Sequence, residues 1–406
     1  MGTIIEEVAF LDLTKASEDT LKEIKAIRNV AFMVYSEKFE PYMAQVSFNG
    51  IASSLKVEGE LATVNGKMVF EESSAESIKD SVHYLVNGKF IIKPGVTAET
   101  IEKTISGLSV NGKIYCPESV QAAVRNKINL NNGKLISYMN DAELETGKVT
   151  IDNDYLKQLK DHTNLAVGGK ANLLEELDED LIDQKLNRLQ LLGNAVISQA
   201  NKEKLSEKWV SGYGEVTTVP SGYTYFDSDL HLDSDTITRY DQGQLFVDGV
   251  VTVDEDVSTD DIKNHLGYLK TDGPIYCRAE AKAEIIKKCD PLVKVVAYSG
   301  ALRLIDGEYT LRKTELDYTP DKLTFVVNGV LNIDEAITAE QIYEKIERVD
   351  LNGVVSGNAE QCGVLQTKLK IKNGIVSEKG TSDEDQPMEE LDGEHTKISN
   401  VSHLKL

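Results

Sequence analysis

The sequence predicts an α/β repeat protein: a solenoid of five units of about 80 residues, with a mostly parallel sheet and short helices on its other face. Glycines, helix-start signals and apolar spacings that return at one interval all point to it. Gly88, Gly168, Gly249 and Gly329 form one evenly spaced series, and Gly112, Gly193, Gly273 and Gly353 form another with the same step. Two independent registers share one period and place the units at about 1–82, 83–163, 164–243, 244–323 and 324–380. Residues 1–380 read as a single array, in which each unit's interior is walled by its neighbour.

The helix starts carry a mechanism. Thr97, Asp178, Ser258 and Thr338 each precede an acid-rich turn, and Ser17 lies one period before Thr97. A short oxygen side chain there accepts a hydrogen bond from an N–H that the first turn leaves unpaired, and Glu99, Asp180, Asp260 and Glu340 suit the positive end of the helix dipole. Behind Thr97, Asp178, Ser258 and Thr338, apolar residues stand at +4, +8 and +11, as in Ile101, Ile105, Leu108 and in Ile262, Leu266, Leu269, whereas the stripe behind Ser17 (Leu21, Ile24, Ile27, Val30) is slightly out of phase, as suits an atypical end unit. That spacing predicts one narrow helical face which must pack on the β-branched runs beside it.

Taken in order, residues 4–13 read as a strand, followed by a helix from Ser17, a strand over Val30–Tyr35, and β runs at Gln45–Val57 and Leu61–Phe70. The second copy is the cleanest: strand 84–92, helix 98–107, strand 109–115, a helix over 117–127 opened by Pro117, and strand 130–138. The third copy holds the single tryptophan, Trp209; Pro274 and Pro291 frame the second helix of the fourth; the fifth stops after LKIKNGIVSE. Within a copy, Gly88, Gly112 and Gly133 subdivide the period into shorter steps, each long enough for one strand-and-helix coil.

Over residues 4–376 this coil resembles a leucine-rich-repeat type of α/β horseshoe, although the LxxLxLxxN signature is absent and Gly or Asn-Gly stands where a leucine ladder would run. The resemblance implies parallel strands stacked along one face. The alternative is a string of α+β beads, each a β-hairpin plus helix, because Asn-Gly between apolar runs is a strong hairpin signal. It recurs at Asn65-Gly66, Asn87-Gly88, Asn111-Gly112, Asn132-Gly133, Asn328-Gly329, Asn352-Gly353 and Asn373-Gly374. Within a solenoid the same dipeptide marks a corner between strand faces.

Composition narrows the function. Lys and Arg number 44 against 67 Asp and Glu, a formal charge of −23 with no basic block, so neither nucleic acid nor an anionic membrane surface is an expected partner. No apolar run approaches the length that a membrane-spanning helix needs, so no membrane insertion is expected. The start MGTIIEEVAFLDL lacks the basic and apolar regions of a signal peptide, and Glu6 stands where a myristoylation motif wants Ser or Thr. A cytoplasmic protein is expected. Four cysteines are too few for a disulfide framework, and Cys116, Cys277 and Ser36 share one place in their copies, a small packed position. Thr381–Glu394 holds acids and no base, a tether before an apolar tip at 395–406. Ile398, Val401, Leu404 and Leu406 are the candidate docking residues of that tip, for the open end of the array or for another molecule.

Chemistry is sparse. Gly107 to Ile114 approximates a phosphate-binding loop but lacks the Ser/Thr ligand and runs from helix to strand, the wrong order. Asp229, His231, Asp233 and Asp235 alternate, which would set carboxylates and an imidazole on one strand face as a candidate metal set. No catalytic motif and no cofactor site emerges. The expected function is a non-catalytic structural or interaction scaffold that binds protein partners or assembles with its own copies. The alternative is a carbohydrate- or metal-binding, possibly hydrolytic, β-solenoid protein.

Overall fold

The computed structural model describes residues 2–378 and 395–406. The acidic stretch Thr381–Glu394 lies outside the described residues. Two compact units form, one from residues 2–218 with 395–406, the other from 219–378.

One coil shows how the chain is built. Strand Val82–Ile92 leads to helix Ala98–Thr104, and strand Ile105–Pro117 returns beside the first in parallel. Tyr84, Val86, Phe90 and Ile92 point inward at every second position, with Gly88 taking the inward place between Val86 and Phe90. Here the strand turns an Asn-Gly corner, with φ of 139° at Gly88 and 143° at Gly112. A Cβ on Gly112 would strike the Gly88 carbonyl, and one on Gly133 the Gly112 carbonyl, so the corners form a column that only glycine can occupy. Gly169, Gly193 and Gly214 repeat the column above Gly147, as do Gly329, Gly353 and Gly374 above Gly307. In these later modules the corner splits each strand in two, for example Thr163–Val167 and Lys170–Leu173.

Strand pairing closes after about four coils. The resulting modules run from Gly2–Asp12 to Ser54–Lys56, from Glu60–Phe70 to Lys134–Tyr138, from Glu143–Glu145 to Val216–Val219, from Tyr223–Phe226 to Val295–Tyr298, and from Ala301–Ile305 to Ile375–Glu378. Each encloses its own apolar cluster. The expectation of one sheet and interior running through all copies is corrected here. At the first corners, Gly66, Gly147 and Gly307, no backbone lies where a preceding coil would stack. The hairpin alternative is corrected too: every pairing determined among the described strands is parallel, and Asn-Gly forms corners.

All five expected caps form, with Ser17, Thr97, Asp178, Ser258 and Thr338 each accepting from the N–H three residues on. The helices are shorter than their apolar spacing suggested. Ile105 and Leu108 belong to the strand that follows Ala98–Thr104, as Leu266 and Leu269 follow Thr259–His265. A register shift supplies the reason: Val82 pairs with Ile105 but His83 with Gly107, so a bulge turns two residues three apart toward the same interior.

The first module owns only three strand layers. Its fourth is His395–Lys405, which pairs in parallel with Gly2–Asp12 and fills the place that other modules give their opening strand. Ile398 stands opposite Ile5, Val401 opposite Val8 and Leu404 opposite Leu11. Val401, Leu404 and Leu406 pack against the module's core.

Candidate functional site

The candidate metal residues are brought near one another but not into one set. Leu230 and Leu232 are buried and His231 faces outward, as alternation requires, but the strand spans only Leu230–Leu232. Asp229 accepts the Val250 N–H at 2.7 Å. His231 Nδ1 meets Thr252 Oγ1 at 2.8 Å, and its Nε2 lies 3.1 Å from Asp254. Asp233 accepts from the N–H groups of Thr236 and Asp235, which hold its carboxyl below the usual range. The Asp235 carbonyl accepts from Thr238. Among the described residues no three His, Cys, Asp or Glu side chains are disposed to hold a metal ion.

Other reactive groups are packed away. Cys116 and Cys277 are fully buried, and desolvation pushes their thiols up to about 12 and about 11. His83 is 2% exposed, and burial pulls its imidazole down to about 4; Nε2 lies 3.0 Å from Ser109 Oγ. A Cβ at Gly107 would strike this ring, so the glycine of the apparent phosphate loop makes room for His83.

Clefts on single modules lie beside the caps of Asp178 and Ser258, and grooves open where modules face one another within a unit. The second and third modules meet through Ile91, Tyr115, Ile136, Ala166 and Leu192. The Tyr115 hydroxyl donates across to the Gly168 carbonyl at 2.7 Å, while Tyr138 donates within the second module to the Ile92 carbonyl at 2.6 Å. In the fourth and fifth modules Tyr276 donates across to Asp350 at 2.9 Å, while Tyr298 donates within the fourth module to the Val253 carbonyl at 3.0 Å. Asp350 is fully buried and also receives Arg348 Nε at 2.9 Å. Beside these contacts lie clefts of about 690 Å³, lined by Lys113, Lys134, Lys170 and Tyr213, and about 590 Å³, lined by Lys270, Asp272, Asp290 and Lys294.

A third groove, about 470 Å³, opens between the first and second modules. On one wall Phe10 stacks on His403 at 4.6 Å and on Phe32 at 5.9 Å. The other wall carries Asn65, Asn87, Asn111 and Asn132, and the Asn111 amide donates to Asn87 at 3.1 Å. In the sequence these asparagines read only as turn signals. Their one-per-coil spacing was the available signal that they form a row. No family model, curated protein or solved structure matches the chain.

Proposed function

We propose that the chain is a non-catalytic interaction scaffold whose own C-terminal strand is its recognition element. The observation that carries this is the incomplete first module, which receives His395–Lys405 on the edge of Gly2–Asp12. A strand edge recognises any extended segment of matching pattern through backbone hydrogen bonds, and side-chain pockets select among them. Supplied by a second copy, the same segment would link copies; supplied by another protein, it would recruit that protein. The packed thiols and imidazole described above support a structural rather than a chemical use of those residues.

The test uses the full chain carrying Val401→Asp and Leu404→Asp, which weakens its own closing strand. A labelled peptide of residues 395–406 is expected to bind this variant saturably and the unaltered chain far less. Light scattering of the unaltered chain across concentration is expected to show association. A strict monomer at every concentration and salt, together with no peptide uptake, sinks the proposal.

A second reading, carbohydrate binding, is favoured by the groove of stacked rings opposite a row of amides. Aromatic faces suit the apolar side of a sugar ring, and amides suit its hydroxyls. Titration with a panel of soluble oligosaccharides, followed by the resonances of the Phe10 and Phe32 rings, would count against it if no sugar shifts them. The metal-binding form of this alternative draws no support from the separate hydrogen bonds of Asp229, His231, Asp233 and Asp235.

A further inference from the structure

In the second module the residue after every corner glycine is a lysine: Lys67, Lys89, Lys113 and Lys134. Strand pairing sets Lys67 beside Lys89, Lys89 beside Lys113 and Lys113 beside Lys134. Neighbouring strands are about 4.8 Å apart, so four ammonium-bearing stems rise from adjacent rungs, an arrangement in which like charges destabilise one another. The corner does not require it. In the fifth module the same place is taken by Glu308, Val330, Val354 and Ile375.

The third module contributes Lys170 to the cleft that Lys113 and Lys134 line. The Lys89 ammonium donates to the Thr146 carbonyl of that module, which ties the row to the third module. Lys113, Lys134 and Lys170 line one cleft of about 690 Å³, and none of the described residues lining it is acidic. Tyr213, 72% exposed, stands at the same cleft. In a chain of formal charge −23 this is a local reversal of sign.

We propose that this cleft is a binding site for a small ligand carrying several phosphate or carboxylate charges. Lysine binds such groups as a point charge, and several lysines around one polyanion replace mutual repulsion with attraction. The volume is that of a small-molecule site. A long nucleic acid would run beyond the cleft onto a surface whose net charge repels it.

Calorimetric titration of the full chain with tripolyphosphate, citrate and inorganic phosphate tests this at low and high salt. Expected is saturable one-to-one binding of tripolyphosphate or citrate, at least about tenfold tighter than phosphate and weakened by salt. Binding of tripolyphosphate alone identifies phosphate chemistry, and equal binding of citrate identifies charge alone. Lys113→Ala with Lys134→Ala should lower affinity at least about tenfold while melting no lower than the unaltered chain, because like-charge repulsion is relieved. Lys113→Gln with Lys134→Gln gives the same readout should the alanine pair not fold. Lys38→Ala with Lys103→Ala should leave binding unchanged. Absence of saturable binding at low salt, equal loss from the Lys38 and Lys103 pair, or tighter binding of a single-stranded oligonucleotide would each overturn the proposal.

Discussion

Replacing Gly112 with alanine should break the second module, and the structure says by how much. An ideal Cβ there falls far inside 3.0 Å of the Gly88 carbonyl oxygen, in a backbone with φ of 143° that L-residues rarely adopt. Restoring ordinary contact at 3.4 Å moves the two rungs apart by about 1.5 Å, which takes a ladder bond of about 2.9 Å out of hydrogen-bonding range. Two or three backbone groups of this half-exposed corner lose their ladder partners, each worth about 0.5–1.5 kcal/mol, and the positive-φ backbone adds about 1–3 kcal/mol, so a loss of about 3–5 kcal/mol is expected. Gly147→Ala is the control: nothing lies within 4 Å of its Cβ, so a change within about 0.5 kcal/mol is expected. Amide hydrogen exchange reads the effect locally. Gly112→Ala should lose about 10²-fold or more of protection over 60–138 and none over 301–378, since each module has its own core. Unaltered protection in Gly112→Ala, or equal damage from Gly147→Ala, would refute the column argument.

Three further outcomes are expected. His83 has its folded pKa pulled to about 4 from an ordinary 6.5, so protonation favours the unfolded chain: its contribution is full above about 6.5 and lost as pH falls toward about 4, by up to about 3 kcal/mol. Urea unfolding of the unaltered chain and His83→Gln at pH 7.5 and 4.5 isolates this, and identical pH dependence in both would rule it out. Tyr276→Phe removes a donor from the buried Asp350 carboxylate and should cost about 1–3 kcal/mol, whereas Tyr213→Phe at the surface should cost nothing measurable; equal midpoints in thermal melts would contradict this. Leu404→Ala, at a partly buried rung of the closing strand, should cost about 1–2 kcal/mol and speed proteolysis within 395–406, and unchanged cleavage would speak against the pairing.

Local chemistry was legible in the chain. A cap needs only a side-chain oxygen and an N–H three residues on, so Ser17, Thr97, Asp178, Ser258 and Thr338 could be read without knowing the fold. The repeat period was legible because a column of stacked corners tolerates no side chain at Gly112 or Gly353. Errors arose where two geometries share one spacing. Residues three apart, such as Ile105 and Leu108, meet on a helix, and they also meet on a strand with one bulged residue between them. The apolar tip at Ile398 to Leu406 was visible as a docking segment. Its address on Gly2–Asp12 was not, because pairing between the two ends of a chain leaves no local mark.

The lysine row shows why a count of basic blocks missed the most unusual feature of the charge distribution. Lys67, Lys89, Lys113 and Lys134 stand a whole coil apart in the chain, so a short sequence window holds only one of them. Stacking brings them to neighbouring rungs, where interaction falls off with distance in space and not along the chain. The same stacking builds the asparagine row on the other side of the corner. In such a fold one substitution per coil, repeated at a fixed offset from the corner glycine, creates a linear row without creating a charged run anywhere in the sequence. Columns of equivalent positions are thus free to differ between modules, and the lysine column departs from its counterpart at Glu308, Val330, Val354 and Ile375 in the way the proposed polyanion site requires.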